Sequence, residues 1–261
     1  MNVSLSGKTA VVCGSTQGIG LATANALAKL GATCILLARN EESLKAAINQ
    51  LPVTAAQQHT YFTADFSQPE QVRSVIQLVV QQTPVHILIN NTGGPKAGPI
   101  ATATEQAFLD AFNQHLICNH ILTQAVVPSM KEAGYGRIIN VISTSVKIPL
   151  PNLGVSNTIR GAVASWAKTM ANELGQFNIT VNNVLPGFIS TQRLEGLVQA
   201  NAKTQQVSEE EIEEEMKKSV PMKRFGDAEE IAAVAAFLAS PAASYVTGIS
   251  IPVDGGRTGS L

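Results

Sequence analysis

The sequence predicts a single doubly wound α/β domain, in which a seven-stranded parallel sheet is flanked by helices. Short runs that are apolar on both faces alternate with amphipathic segments, as expected for buried parallel strands joined by crossover helices. No linker or low-complexity tract divides the 261 residues, and a chain of this length can bury one full core. In addition, a glycine-rich loop lies between the first apolar run and the first helix.

The first unit of the chain has the order strand, glycine loop, helix, strand. Residues 9–13 form the first predicted strand and residues 33–38 the second. The loop at 14–20 carries three glycines where the first strand gives way to a helix, and that helix ends at Gly31. Glycines let the backbone pass close to a ligand, and the unpaired N–H groups at a helix start attract an anion. The unit therefore predicts a site for the pyrophosphate of a dinucleotide.

The rest of the chain continues this alternation of strands and helices. Further strands are predicted at 59–63, 85–89, 137–142, 179–184 and 248–253, and further helices at 41–51, 68–80, 104–130, 155–174 and 227–238. The residues just past the carboxyl ends of predicted strands include Gly14, Arg39, Asp65, Asn90, Ser143 and Pro186. Because parallel strands place their carboxyl ends at one edge of the sheet, we expect these loops to converge on one ligand site.

A polar, glutamate-rich segment at 190–220 follows the last of these loops and has no clear partner strand. A movable lid over the ligand would lie at this position. The alternative is a solvated helix without a role, and the sequence leaves both interpretations open.

The composition of the chain indicates which binding partners and which cellular compartment to expect. With 18 basic and 19 acidic residues the formal net charge is -1, which gives no reason to expect nucleic acid or an anionic membrane as a partner. No apolar run reaches the roughly 18 residues of a membrane span, and no leader precedes the first strand. Cys13, Cys34 and Cys118 lack zinc-ligand spacing, so no metal site is predicted, and they suit buried free thiols in a reducing compartment. We therefore expect a cytoplasmic protein.

The glycines of the first loop fall at Gly14-x-x-x-Gly18-Ile19-Gly20 rather than in a G-x-G-x-x-G run. This motif resembles that of the short-chain dehydrogenases/reductases, whose fold is of the Rossmann type. The resemblance extends over almost the whole chain, which is similar in particular to 3-oxoacyl-(acyl-carrier-protein) reductases. It implies that a bound dinucleotide meets Gly14, Ser15, Thr16, Gly18, Ile19, Gly20, Asp65, Asn90, Thr92, Gly93, Pro186, Gly187 and Thr191. In that pattern Asp65 contacts the adenine, Thr191 meets the carboxamide, and the riboses are flanked by Asn90, Thr92 and Gly93.

The choice of cofactor is made at the end of the second strand. An acidic side chain there would accept hydrogen bonds from the ribose of NAD and repel a 2'-phosphate. This chain has Arg39 and no acid at that point, and an arginine can stack on adenine and pair with the phosphate. NADP(H) is therefore the predicted cofactor, with NAD(H) as the second choice. The alternative is that Arg39 is a solvated charge at a strand end.

The catalytic positions match the family less well. The resemblance implies carbonyl reduction by Ser, Tyr and Lys, with Tyr-x-x-x-Lys on one helix, and an Asn in the preceding long helix. Ser143 matches the Ser position, whereas Ser156 stands at the Tyr position, Arg160 at the Lys position and His115 at the Asn position. The i, i+4 spacing of Ser156 and Arg160 keeps both side chains on one face. Arg160 would still hold the nicotinamide ribose.

The proton donor of the family is missing from this pattern. A phenol with a pKa of about 10 can be tuned by a neighbouring ammonium, whereas an aliphatic hydroxyl is a far weaker acid and Arg stays protonated. His115 is the candidate for an altered relay, because imidazole titrates near pH ~6.5. The alternative is a hydrogen-bonded histidine without a catalytic role. Lys96 and Lys147 are further candidates at the same edge, although such lysines usually face solvent.

The sequence thus predicts an NADP(H)-dependent oxidoreductase acting on a small carbonyl or alcohol, with Ser143 polarising the substrate oxygen. The competing hypothesis is a protein that senses or sequesters NADP(H) without turnover. The loops that would select the substrate carry no diagnostic chemistry. The long helix at 104–130, the alanine-rich helix at 155–174 and the terminal strand are similar to the family's subunit contacts, which implies a homo-oligomer, expected to be a tetramer.

Overall fold

The computed structural model describes residues 1–54 and 56–260 and contains one sheet with seven strands. The strands are β1 (Thr9–Cys13), β2 (Thr33–Ala38), β3 (Thr60–Thr63), β4 (Ile87–Asn90), β5 (Gly136–Val141), β6 (Ile179–Pro186) and β7 (Ser250–Val253). They lie in the order β3-β2-β1-β4-β5-β6-β7, and every neighbouring pair is parallel. The predicted α/β fold class is confirmed, and all seven predicted strands are present with shifts of a few residues at their ends.

Nine α-helices are present in the described residues, whereas six were expected. They are α1 (Gly18–Lys29), α2 (Glu41–Ile48), α3 (Pro69–Gln82), α4 (Glu105–Phe112), α5 (Cys118–Glu132), α6 (Gly154–Leu174), α7 (Gln192–Gln205), α8 (Glu209–Lys218) and α9 (Ala228–Ala239). Two corrections account for the difference. The expected continuous helix at 104–130 is wrong, because a π-helical turn at Asn113–Ile117 separates α4 from α5. The segment at 190–220 contains two helices, α7 and α8.

Strands β1, β2 and β4 are mostly apolar on both faces because each face of the sheet is covered by helices. In β1, Val12 packs in the core between the sheet and helices α1 and α9, whereas Val11 and Cys13 pack in the core beneath α3, α5 and α6. The alternation of side chains along a strand sends neighbouring residues to opposite cores. The three cysteines are buried and free, as expected, and burial raises the pKa of the Cys34 thiol to about 12.

The strand order changes direction between β1 and β4, and this point positions the site. The chain moves outward from β1 to β3 on one side and from β4 to β7 on the other. In an open α/β sheet, ligands bind outside the carboxyl ends of the strands at such a point. The loops that follow β1, β4, β5 and β6 therefore surround one cleft.

The two helices of the 190–220 segment share a small core of their own, made by Leu194, Val198, Ala202 and Ile212. Helix α8 begins with a capping box, in which Ser208 accepts from the backbone of Glu211 and Glu211 accepts from the backbone of Ser208. This core is separate from the two that cover the sheet, so α7 and α8 form a hairpin with its own packing.

Candidate active site

The glycine loop after β1 is held against the loop after β4. Gly14 has a φ of +59°, and a Cβ there would overlap the backbone oxygen of Asn91. A Cβ at Gly20 would overlap the backbone oxygen of Gly14, so a side chain fits at neither position. The Asn91 amide donates to the backbone oxygens of Cys13 and Gly14, each at 3.2 Å. Asn91 was not predicted as a site residue, although it adjoins the predicted Asn90.

The remaining residues of the glycine loop link it to the sheet and to the loop after β6. Ser15 is fully buried, and its hydroxyl donates to the backbone oxygen of Leu37 at 3.4 Å, whereas Thr16 is partly exposed. Ile19 packs against the core under α1. A Cβ on Gly18 would lie 3.2 Å from Cγ2 of Thr191. The structure therefore brings the glycine loop and Thr191 together, as the sequence predicts.

The loop after β6 is fastened to the last strand. The backbone N–H of Gly187 donates to the backbone oxygen of Val253 at 3.0 Å, and a Cβ on Gly187 would lie 2.7 Å from Cα of Asp254. Pro186 is the last residue of β6. Thr191 precedes the first residue of α7, and its hydroxyl donates to the backbone oxygen of Ile189 at 3.1 Å. These contacts fix the point from which α7 departs.

Arg39 and Asp65 lie at the far end of the cleft, beyond β2 and β3. The Arg39 side chain is exposed, and Asp65 is partly exposed. The Asp65 carboxylate accepts from the backbone N–H of Ser67 at 2.9 Å, and this hydrogen bond is the main reason that the pKa of Asp65 is lowered. The positive charge of Arg39 lowers that pKa further, so the two side chains share one electrostatic environment.

Asn90 is buried in the sheet rather than open to the cleft. Its amide donates to Asn140 at 2.8 Å, Asn140 donates to Asn183 at 2.9 Å, and Asn183 donates to Ser250 at 3.1 Å. These residues are direct neighbours across β4, β5, β6 and β7. The side-chain oxygen of Asn90 is buried without a partner in the described residues. The row of amides holds the strand ends in register directly beneath the loop that carries Thr92 and Gly93.

The predicted catalytic residues come from three different elements that pack together. Ser143 follows β5, and its side chain accepts from the backbone N–H of Ser145 at 3.1 Å. Ser156 and Arg160 lie one turn apart near the start of α6, and both are buried. His115 lies in the π-helical turn between α4 and α5. Helix α6 packs against both that turn and the turn after Ser143, which brings the four residues to one side of the cleft.

Arg160 is a buried cation held by backbone oxygens. Its guanidinium donates to the backbone oxygen of Val141 at 3.1 Å and to that of Thr92 at 3.4 Å. Burial, and next the positive charge of Arg193, lower the pKa of Arg160 to about 10. The side chain is therefore still protonated at neutral pH. It connects the end of β5 to the loop after β4.

His115 is buried beside this cation. Nδ1 lies 2.7 Å from the hydroxyl of Thr92, and Nε2 is buried without a partner in the described residues. Burial, followed by the positive charges of Arg160 and Arg193, lowers the pKa of His115 to about 2. Imidazolium is thus not populated at neutral pH. The low pKa of His115 results from its tertiary surroundings. It differs from the unperturbed imidazole pKa on which the sequence-based relay hypothesis rested.

The other candidate proton donors lie in open solvent or away from the cleft. Lys96 and Lys147 are exposed. Tyr135 is buried just before β5, at the opposite edge of the sheet, and donates to the backbone of Ala239. Tyr61 lies within β3, and Tyr245 is fully exposed before β7. In the described part of the chain, no tyrosine side chain lies beside Ser143 and Arg160.

Arg193 is a site residue that sequence reasoning missed. It lies in the first turn of α7, and its guanidinium donates to the backbone oxygen of Gly94 at 3.4 Å. A Cβ on Gly94 would lie 2.5 Å from its Nη2. The side chain is exposed, yet enough protein surrounds the guanidinium that desolvation lowers its pKa. In the sequence, only its position two residues after Thr191 could have indicated that Arg193 belongs to the site.

Comparison with known proteins agrees with this architecture. The sequence model of the family described as enoyl-(acyl carrier protein) reductase matches residues 14–258. The chain belongs to the short-chain dehydrogenase/reductase family. It is 32% identical to gluconate 5-dehydrogenase of Gluconobacter oxydans over 258 residues, which cover 99% of this chain and 97% of that protein. It is also 32% identical to the NADPH-dependent reductase BacG of Bacillus subtilis, covering 98% of this chain and 100% of that one.

Solved structures of this family superpose on the whole chain. L-Sorbose reductase from Gluconobacter frateurii, complexed with NADPH and L-sorbose, has a TM-score of 0.94 and 31% identity, and all of both chains is covered. YwfH, an NADPH-dependent reductase involved in bacilysin biosynthesis, has a TM-score of 0.92 and 31% identity, covering 98% of this chain and 100% of that one. No helix in the described part of the chain is long and apolar enough to cross a membrane.

Proposed function

We propose that this protein is an NADP(H)-dependent oxidoreductase that interconverts a small carbonyl compound and its alcohol. The observation that carries the proposal is the cradle around Gly14 and Gly20, which a Cβ at either glycine would fill. It lies at the N-terminus of α1, where free backbone N–H groups and the helix dipole favour a pyrophosphate. Relatives that share the whole fold are described as NADPH-dependent or were solved with NADPH.

The residues around the cleft fit such a cofactor along its length. Arg39 would meet the 2'-phosphate and adenine, with Asp65 beside it at the adenine end. The loop that begins after Asn90, with Thr92 and Gly93, would flank the riboses. Ser15, Thr16, Gly18 and Ile19 would line the pyrophosphate, and the segment Pro186, Gly187 and Thr191 would meet the nicotinamide. NAD(H) would bind more weakly, because no acid follows β2.

When bound, the nicotinamide would supply or accept the hydride, and the chain's own residues would handle the oxygen. Ser143 would donate its hydroxyl hydrogen to the substrate oxygen, since its Oγ already accepts from Ser145. Arg160 would add a fixed positive charge beside the ribose. His115, being neutral, would donate a hydrogen bond from Nε2 in the tautomer that lets the Thr92 hydroxyl donate to Nδ1. Ser156 is too weak an acid to replace a phenol, so the alkoxide formed by hydride transfer would take its proton from a solvent water near Ser156, and the hydroxide left behind would be neutralised by bulk solvent.

The second candidate function is cofactor binding without turnover. Two observations favour it: the phenol position holds Ser156, and the pKa of His115 lies at about 2. The site then retains the groups that bind the cofactor while lacking an acid that titrates near neutrality. A protein of this kind would sense or sequester NADP(H).

One experiment separates the two functions. NADPH affinity is measured by calorimetry, and NADPH oxidation is followed with a panel of small aldehydes, ketones, keto sugars and keto acids. Binding with turnover supports the oxidoreductase, and binding without turnover on any member supports the sensor. An absence of NADPH binding would contradict both.

We further propose that α7 and α8 form a lid over the cleft. Their separate core would let the hairpin move as a unit, and Arg193 at its start already contacts the loop after β4. Limited proteolysis with and without NADPH tests this proposal, because closure should protect bonds in 192–218. Equal cleavage in the two states, at saturating NADPH, would contradict it.

We also propose that the protein is a cytoplasmic homotetramer. Leu109 and Phe112 on α4 are exposed apolar side chains on one of the elements that resemble subunit contacts. The three buried free thiols suit a reducing compartment. Light scattering should give four times the chain mass of 27.5 kDa, and a monomer mass would contradict the assembly.

A further inference from the structure

Three nitrogen-bearing side chains surround the 92–94 loop from different elements. Arg160 approaches from α6 and donates to the backbone oxygen of Thr92, His115 approaches from the π-helical turn, and Arg193 approaches from α7 and donates to Gly94. We propose that Arg193 and Arg160 bind a carboxylate of the substrate, so that the substrate is an oxo acid or the corresponding hydroxy acid. This inference rests on the proposed function and specifies its substrate class.

In the described part of the chain, no acidic side chain forms an ion pair with either of the two arginines. The ion pairs within 4 Å in the described part of the chain lie on α2, on α3, on α8 and between Arg224 and Glu230, and none involves Arg160 or Arg193. Arg160 is 7% exposed, and its partners here are backbone oxygens. A buried charge without a counter-charge is costly, and a bound anion would offset that cost.

A second, independent observation points to a ligand at the same place. His115 is 1% exposed, and its Nε2 has no hydrogen-bond partner in the described residues. Buried polar atoms in native proteins are almost always paired, and an exception needs an explanation. An oxygen of an oxo acid bound beside Arg160 would accept from Nε2 in the tautomer described above. The cluster would then contain no unpaired buried donor.

Arg193 is placed to meet a molecule that enters from solvent. Its side chain is exposed at the mouth of the cleft and already reaches the backbone of Gly94, where a larger residue would collide with it. The planar guanidinium presents two parallel N–H groups that match a carboxylate. Because Arg193 belongs to α7, closing the proposed lid on a carboxylate would place one cation on each side of the substrate.

A phosphate of the cofactor is the other anion that this cluster can bind. The position of the two arginines nevertheless favours the carboxylate of the substrate. The pyrophosphate cradle lies at Gly14 and Gly20, and the predicted 2'-phosphate contact is Arg39. Arg160 and Arg193 instead meet the loop after β4 on the side of His115. The two sources make different predictions for Arg193, because Arg193→Gln would weaken NADPH binding only if Arg193 held a phosphate of the cofactor.

The test compares carboxylic acids with their neutral methyl esters. We would titrate 2-oxo and 3-oxo acids of three to six carbons, and the methyl ester of each, into the NADP⁺-saturated protein to measure binding. For the same acid and ester pairs, kcat/KM is measured with NADPH. The wild type should prefer the acid of at least one pair by about 10-fold to 100-fold, the range expected for a charge-assisted contact. Arg193→Gln should remove most of that preference, and Arg193→Lys should restore part of it.

A control variant and a measurement of NADPH affinity accompany this comparison. Lys203→Gln removes one positive charge from the exposed end of the same helix and should leave the preference unchanged. NADPH affinity should be the same in wild type and Arg193→Gln. Equal binding of every acid and its ester by the wild type, or a loss of NADPH affinity in Arg193→Gln, would overturn the proposal. Because acid binding is measured without turnover, a failure of the oxidoreductase function alone would appear as selective binding with no rate.

Discussion

At Arg160 and His115, burial decides the charge of each side chain before a substrate arrives. Arg160 retains its proton although its pKa falls to about 10, whereas His115 loses its proton because its pKa falls to about 2. A lysine in the place of Arg160 could pass a proton at neutral pH, and a guanidinium cannot. We therefore propose that α6 keeps the i, i+4 spacing of the family's catalytic pair while offering a different chemistry.

The depressed pKa of His115 makes the folded state sensitive to acid. Unfolded His115 titrates near pH ~6.5, so protonation favours the unfolded chain, and the stabilisation present above that pH is lost as pH falls toward 2. Between pH 7 and pH 5 this single group should lower the free energy of unfolding by roughly 2 kcal/mol. Urea unfolding at both pH values should show a smaller drop for His115→Asn than for the wild type. An equal drop would mean that His115 titrates normally in the folded protein.

Arg39 should decide between the two nicotinamide cofactors. Arg39→Ala removes a charge-assisted hydrogen bond to the 2'-phosphate, worth about 1.5–3 kcal/mol. Calorimetry should therefore show weaker NADPH binding, by roughly 10-fold to 150-fold, and unchanged NADH binding. Wild-type affinities that are equal for the two cofactors would show that Arg39 is only a solvated charge.

At the scale of elements, the glycine loop depends on the loop after β4 for its shape. Gly14→Ala would place a methyl group against the Asn91 backbone and force a non-glycine residue into a left-handed conformation, which costs about 1–2 kcal/mol apart from the collision. NADPH binding should fall below detection in calorimetry, and thermal stability should drop. Gly161→Ala is the matched control, because a Cβ there has open space on α6 and should stabilise the helix by up to about 1 kcal/mol. Normal NADPH binding by Gly14→Ala would contradict the proposed cradle.

The elements that sequence reasoning predicted are those whose signal is local. Strand β1 is apolar from Ala10 to Cys13, and the turn into α1 carries its glycines, so both could be recognised without tertiary information. Helices α7 and α8 bury only a few apolar side chains in a glutamate-rich stretch, and their pattern was too weak to define two helices. The π-helical turn at Asn113–Ile117 lacks a distinctive residue pattern, and the helical periodicity around it predicted one continuous helix.

At the scale of the whole molecule, the parallel sheet determines which distant residues can meet. The rule that ligands bind beyond the carboxyl ends of strands correctly placed the loops with Gly18 and Thr191 beside each other. The rule could not reveal contacts that depend on side-chain reach, such as Arg193 on Gly94 or Asn91 on Gly14. Nor could it give the pKa of His115, which follows from burial beside two arginines.

The central claim is that the chain keeps the cofactor site and hydride chemistry of its family while lacking the phenol acid. The most direct measurement is the initial rate of NADPH oxidation by the wild type and by the double variant Ser156→Tyr with Arg160→Lys, using a carbonyl substrate that both bind. General acid catalysis contributes about 10²-fold to 10⁴-fold, so the double variant should be faster by that order with unchanged NADPH affinity. A folded, NADPH-binding double variant that is no faster than the wild type would contradict the claim.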